Sequence, residues 1–420
     1  MGDIKQKIKF MFGNNKKVLE NYFFMTVLQI LNSLFFLLLY PYLIRTLGAE
    51  SYGLYVFALA IVYCFITIIN FGFDMPAVKT IAQNIDDKNV KEDILSCVFT
   101  AKVYLGLVSL VIFSGIILFI PSLRANWVVF FLCFSQVITH IIFPQWYFQG
   151  IQQMRIVTYI QLGFKLLSLP FIFLFVQQKE DLCLFALIVS VSSILGALMA
   201  ILIIRVKDGL LIHWSKLVEI KKHGVEALPF FASNSMNTIK QQSAVVMLGS
   251  FFSMHDVAFY DLAMKIFTVP MVLVSSINNA LYPKIVVLED FSNTVRKILK
   301  VENVIGMMIV LFLFFFGKWI IMIMGGSSMS EAYPLLVIIS FSVFGQLTVG
   351  AICNFIFIPK NKSKYVAHNQ LVAFVTFFVV ALLGIWLDGR IFMVPLALTL
   401  SVFSELIYSR FVVWRKKMLS

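Results

Sequence analysis

Nearly uncharged apolar runs of twenty or more residues recur along the whole chain. A run of that length in helical form matches the roughly 30 Å hydrocarbon core of a bilayer. We count twelve, at residues 22–44, 52–75, 96–119, 126–147, 156–176, 182–204, 227–252, 257–282, 299–323, 332–358, 365–386 and 391–412. Twelve crossings need about 240 residues, more than half of the 420 present. Only 13% of residues are charged, against about 25% in a soluble domain, which excludes a soluble enzyme. The 21 glycines and 11 prolines fall singly in or beside apolar runs, where membrane helices tolerate them, and no Gly/Pro-rich linker marks off a soluble domain.

Loop charge orients the spans. With an even number of crossings both termini share a side. That side carries 25 Lys and Arg, whereas the opposite side carries five: Arg45, Arg124, Lys179, Lys318 and Arg390. The positive-inside rule therefore puts both termini in the cytoplasm, and reads the net charge of +13 as membrane orientation with no nucleic-acid partner. The basic N-terminal tail precedes a long apolar run with no small-residue cleavage site, which reads as a retained first span. Cys64, Cys97, Cys133, Cys183 and Cys353 lack CxxC spacing and read as small core residues. The longest polar connection, residues 205–226, contains IHWSKLVEIKKHG, a basic segment with interspersed apolar residues suited to the cytoplasmic leaflet. Its His213 and His223 read as loop residues. The chain thus divides into an N-terminal six-helix bundle (1–204), an amphipathic linker (205–226) and a C-terminal six-helix bundle (227–420). A weak echo of GLYVFALAI (Gly53–Ile61) in AFYDLAMKI (Ala258–Ile266) suggests parallel repeats.

Apart from Lys300 and Lys318, which lie toward the two ends of span nine and are counted with the loops, four lysines fall inside spans: Lys102, Lys165, Lys240 and Lys265. A lysine at mid-bilayer costs about 2.5 to 3.5 kcal/mol on insertion scales, so it faces a cavity or a partner. Lys102 lies roughly 9 Å from its cytoplasmic end and is expected to snorkel. The other three lie roughly 12 to 20 Å deep and are expected to line a cavity. Helical phase groups polar residues into stripes: Asn21, Gln29, Asn32 and Ser33 in span one; Tyr63, Thr67, Asn70 and Asp74 in span two. Span seven aligns Ser233, Asn234, Asn237, Lys240 and Gln241, and span eight Asp261, Lys265, Thr268, Ser275, Ser276 and Asn279. Under the repeat these four helices correspond in pairs, which suggests a polar vestibule between the halves. The bland alternative is hydrogen-bond glue between helices, adequate for Ser and Thr but poor for lysines. Asp261 and Lys265 have the spacing of an i, i+4 ion pair, so Lys265 is either a ligand or a structural ion. Asp74, Asp261 and Glu405 are the acids available to bind a coupling proton or sodium ion.

Two segments are similar to Wzx-type O-antigen flippases, the polysaccharide-transport branch of the multidrug/oligosaccharidyl-lipid/polysaccharide (MOP) exporter superfamily. They are YPYLIRTLGAESYGLYVFALAIVYCFITIINFGFDMPAVKTIA (Tyr40–Ala82) and PQWYFQGIQQMRIVTYIQLGFKL (Pro144–Leu166); YDLAMKIF (Tyr260–Phe267) is a third, shorter match. The resemblance implies an all-α integral membrane protein of the bacterial inner membrane, with twelve transmembrane helices in a V-shaped pair of six-helix bundles. It implies alternating access that carries undecaprenyl-diphosphate-linked oligosaccharide from the cytoplasmic to the periplasmic leaflet, with the polymerase and chain-length regulator of O-antigen assembly as partner proteins. Lys165, Lys240 and Lys265 suit a diphosphate, and Gln29, Asn32, Asn70, Asn237 and Gln241 suit sugar hydroxyls. No GxxxxGK[ST] loop is present, so a proton or sodium gradient is the expected driver, and no cofactor or enzymatic role is implied. A multidrug exporter of the same fold would need acids to attract organic cations, whereas the deep charges here are mainly basic. An O-antigen polymerase would need a large periplasmic loop, and all outer loops are short.

Overall fold

A computed structural model of the chain describes residues 16–285, 291–360 and 362–418, so most of the basic N-terminal tail lies outside the described residues. Those described form helices and connecting turns, with no strand among them. Among the described residues, ten helices are long and apolar enough to cross a membrane. The first, α1 (Lys16–Asn70), holds two predicted spans: it breaks at Gly48, whose φ of 77° and ψ of 163° are non-helical. Glycine reaches that conformation without a Cβ penalty. Then follow α2 (Asp74–Gln83) and α3 (Lys88–Phe119), whose first turn is capped by Asp87 accepting from the Asn89 and Val90 backbone N–H groups.

Span four was expected as one helix and is three pieces, α4 (Trp127–Phe134), α5 (Gln136–Ile142) and α6 (Gln145–Gly150). The second break falls at Pro144, which supplies no N–H to continue the helical ladder. α7 (Met154–Phe175) and α8 (Leu182–Ile203) match spans five and six. The linker is not a separate element. Gly209, at φ 63°, ends the helical turn after α8, and from Leu217 the chain is already in α9 (Leu217–Phe251), a 35-residue helix continuous with span seven. α10 (Met254–Ile285), α11 (Phe291–Gly325), α12 (Ala332–Ser340), α13 (Ser342–Ile352), α14 (Ser363–Leu387) and α15 (Met393–Arg415) complete the chain. With α1 holding two crossings and α9 long enough for a further one, the ten apolar helices among the described residues are consistent with the expected twelve.

The helices pack as two compact units. One comprises the described residues of Met1–Asn32 and Val62–Asn234, the other Ser33–Ile61 and Ser235–Ser420. Residues 33–61 therefore pack with the C-terminal helices, although they precede the linker in sequence. Both echoing segments, Gly53–Ile61 and Ala258–Ile266, lie in this second unit, where a Cβ on Gly53 would stand 1.8 Å from the Met254 carbonyl oxygen. In the first unit the core joins Phe73, just before α2, and Ala77 and Ile81 of α2 to Trp146, Tyr147 and Phe148 of α6 and to Met154, Val157 and Ile160 of α7.

Candidate functional site

In the first unit α1 and α7 run parallel and touch at three polar levels. Asn21 Oδ1 accepts from the Met154 backbone N–H at 2.8 Å, serving the start of α7. Thr158 Oγ1 donates to the Phe24 carbonyl at 3.2 Å, and Lys165 Nζ donates to Asn32 Oδ1 at 2.6 Å. The span-one stripe thus faces α7 at Asn21 and Asn32, while Gln29 is exposed. The structure brings two predicted residues, Lys165 and Asn32, together at mid-helix.

Lys102 does not snorkel. It is 3% exposed, and its Nζ donates to Asn70 Oδ1 at 3.0 Å, Asp74 Oδ1 at 3.4 Å and the His140 carbonyl at 3.5 Å. Three acceptors from the end of α1, the start of α2 and α5 replace the water that snorkelling would have sought, which is what a buried ammonium requires. Two predicted residues, Asn70 and Asp74, are therefore engaged by a lysine that depth alone assigned to the interface. Helical phase along span two shows that Asn70 and Asp74 share a face, but nothing in sequence says that Lys102 meets it.

In the second unit Lys240 of α9 and Glu405 of α15 form an ion pair at 3.1 Å, with side chains 6% and 8% exposed. The polar stripe of α9 divides. Lys240 turns inward to Glu405, while Asn237 and Gln241 remain exposed, with Gln241 Nε2 donating to Asn237 Oδ1 at 3.2 Å. The Ser233 and Asn279 side chains lie outside the described residues. One helix on, Lys265 Nζ lies 2.8 Å from both Asp261 carboxylate oxygens. The Tyr52 hydroxyl donates to Asp261 Oδ2 at 2.7 Å, and Lys265 Nζ sits 5.1 Å from the centre of the Phe36 ring. Tyr52 in turn packs edge-to-face on Tyr40, whose hydroxyl donates to the Ala258 carbonyl at 3.3 Å. Residue spacing within α10 foretells the Asp261–Lys265 pair; the Tyr52 and Phe36 contacts, which come from a different stretch of chain, leave no sequence signal.

Thr67, Thr268, Ser275 and Ser276 donate to backbone carbonyls of their own helices, and so behave as helix-internal glue. No three His, Cys, Asp or Glu side chains converge as metal ligands among the described residues. The chemistry on offer is ionic: a buried Lys–Glu pair, a partly exposed Lys–Asp–Tyr cluster, and a Lys–Asn bond, all on membrane-length helices.

Helices of this number and length with paired charges inside them define a polytopic, all-α membrane protein. Solved structures bear this out at the level of fold. An inward-facing multidrug resistance MATE family transporter of the MOP superfamily aligns over 93% of this chain and 99% of its own, at 13% identity and TM-score 0.70. An outward-facing counterpart aligns over 97% and 96%, at 14% identity and TM-score 0.65. The lipid II flippase MurJ, in an inward closed conformation, aligns over 94% and 86%, at 14% identity and TM-score 0.62. Residues 18–289 match the family described as "Polysaccharide biosynthesis protein", and the chain belongs to it. Among curated proteins, a "Putative O-antigen transporter" of Escherichia coli (strain K12) is 27% identical over 277 residues, 65% of this chain and 66% of its own length. A protein of the same description from Shigella dysenteriae is 21% identical over 62% of this chain and 65% of its own length. The matched stretch thus spans just under two thirds of those relatives.

Proposed function

We propose that this protein is a flippase that moves oligosaccharide repeat units on an undecaprenyl diphosphate carrier from the cytoplasmic to the periplasmic leaflet of the bacterial inner membrane. It does so by alternating access, with both termini cytoplasmic and a proton or sodium gradient as driver. Family membership, the description carried by the O-antigen transporter relatives and a fold known in inward- and outward-facing forms support this reading.

The observation that carries it is the Lys240–Glu405 pair. A lone lysine at that depth would be costly, so the pair keeps the empty protein neutral there. A diphosphate is a stronger partner for an ammonium than one carboxylate, because it offers more charge and more acceptors. It can therefore take Lys240 from Glu405, and a proton or sodium ion on Glu405 then compensates the released acid. Lys165 and Lys265 supply the same chemistry with partners already in place, Asn32 and Asp261. Exposed Asn237, Gln241 and Gln29 are suited to sugar hydroxyls, and the carrier tail stays in lipid. The polymerase and chain-length regulator of the same pathway are the proposed protein partners.

The test is a double neutralisation that spares the fold. Lys240→Gln with Glu405→Gln removes both charges together and keeps hydrogen-bonding capacity. It is expected to insert at normal abundance and to lose polysaccharide export, because a charge-assisted contact of about 1.5 to 3 kcal/mol is gone. Normal export by that double variant would remove the basis of the reading. Resistance to organic cations gained on overexpression, with polysaccharide export unaffected by deletion, would select the multidrug-exporter reading.

A further inference from the structure

A second buried acid lies outside this set. On α11 the inward face is Val295, Glu302, Gly306, Val310 and Leu313, all buried, so Glu302 occupies a core position in an otherwise apolar stripe. It is 2% exposed. Its Oε1 accepts from Asn278 Nδ2 of α10 at 2.6 Å, and Asn278 is itself 8% exposed. Its Oε2 is buried with no hydrogen-bond partner among the described residues. Beside it, Thr348 of α13 donates to Asn303 at 3.3 Å, tying α11 to that helix.

No cation compensates this carboxyl among the described residues. On α11 itself Arg296, Lys297 and Lys300 are exposed on other faces. On α10 the described titratable side chains, His255, Asp256, Tyr260, Asp261 and Lys265, precede Asn278 by thirteen positions or more, roughly 20 Å along the helix, and the side chains of Tyr282 and Lys284 lie outside the described residues. Of the other elements packed on α11, α13 and the turn at residues 327–329 carry no titratable side chain, and α12 carries only Tyr333, whose hydroxyl donates to the Phe314 carbonyl. An ionised Glu302 would have one amide donor for a full buried charge, a state far costlier than the neutral acid.

We propose that Glu302 is a proton-binding site: the packed state holds the neutral acid, and the proton leaves from Oε2 when α10 and α11 part enough to admit water. Its place in the transport cycle, as a group that loads a driving proton in addition to the ion on Glu405, rests on the flippase reading; proton binding itself does not, and the test separates the two. The full-length protein in lipid vesicles without cargo is followed by infrared difference spectroscopy while pH is stepped from acid to alkaline. The expected result is a protonated-carboxyl C=O band that disappears on the alkaline side, is absent at every pH in Glu302→Gln, and persists in Glu405→Gln. Asn278→Leu should shift the band, because the bond to Oε1 is gone, and keep its titration, which covers the case in which Glu302→Gln fails to fold. Exchanging potassium for sodium at fixed pH should leave the band in place. A band indifferent to Glu302→Gln and Asn278→Leu, a Glu302 band that never titrates, or one abolished by sodium would each overturn the proposal. If the flippase reading alone is wrong, these spectra stay as predicted while polysaccharide export is unaffected by Glu302→Gln.

Discussion

At the scale of single residues the protein keeps its deep charges in company. Lys102, Lys165, Lys240 and Lys265 each donate to an acid or an amide, so removing one partner exposes the cost of the other. Lys240→Gln alone should strand Glu405 and lower stability by about 3 to 5 kcal/mol, seen as reduced thermal stability in detergent. The Lys240→Gln, Glu405→Gln pair should recover most of that loss, and equal instability of single and double variants would mean that the two side chains are not coupled. For Lys265 the outcome turns on transport: Lys265→Gln should lower export, and adding Asp261→Asn restores it only if the pair is structural. Continued loss in the double variant marks Lys265 as a ligand. Tyr52→Phe deletes one charge-assisted hydrogen bond to Asp261, worth about 1.5 to 3 kcal/mol. A Tyr52→Phe protein as stable as the parent would show that this bond contributes nothing.

At the scale of helices, docking depends on a few positions with no room for a side chain. A Cβ on Gly53 would meet the Met254 carbonyl oxygen at 1.8 Å, and no rotamer change relieves a backbone clash. Gly53→Ala should therefore cost about 1 to 3 kcal/mol or more as α1 shifts from α10. Gly163→Ala, with open space around it, should be neutral or gain about 0.5 to 1 kcal/mol from the lower entropy of the unfolded chain. Melting temperatures of the two variants decide the point. The long helices themselves are legible in sequence, since apolar length fixes them, and the starts of α7, α8 and α15 fall within a few residues of the expected spans. The break of span four at Pro144 and the fusion of the linker helix with span seven are not legible from hydropathy, which averages over a turn or a kink. Pairing follows the same division. Asp261–Lys265 is local and readable at i, i+4, whereas Lys240–Glu405 joins residues 165 apart, and only the packing of α9 on α15 brings them together. Glu302 does carry a sequence signal, an acid on the apolar face of its own helix.

At the scale of the whole molecule, the asymmetry of 25 basic residues against five predicts orientation. Reporter fusions after Asp87, Lys222 and Lys362 should read cytoplasmic, and those after Glu180, His255 and Asp388 periplasmic; the inverted pattern would reverse the proposed direction of transport. The central claim is that the chain carries a lipid-linked oligosaccharide across the membrane, and its most direct test is where that intermediate resides without the protein. In a deletion strain the sidedness of lipid-linked repeat units can be read by enzymatic or lectin access from the periplasm. The account predicts loss of surface polysaccharide with the repeat units accumulating on the cytoplasmic leaflet. Units that reach the periplasmic leaflet and remain there unpolymerised would contradict it.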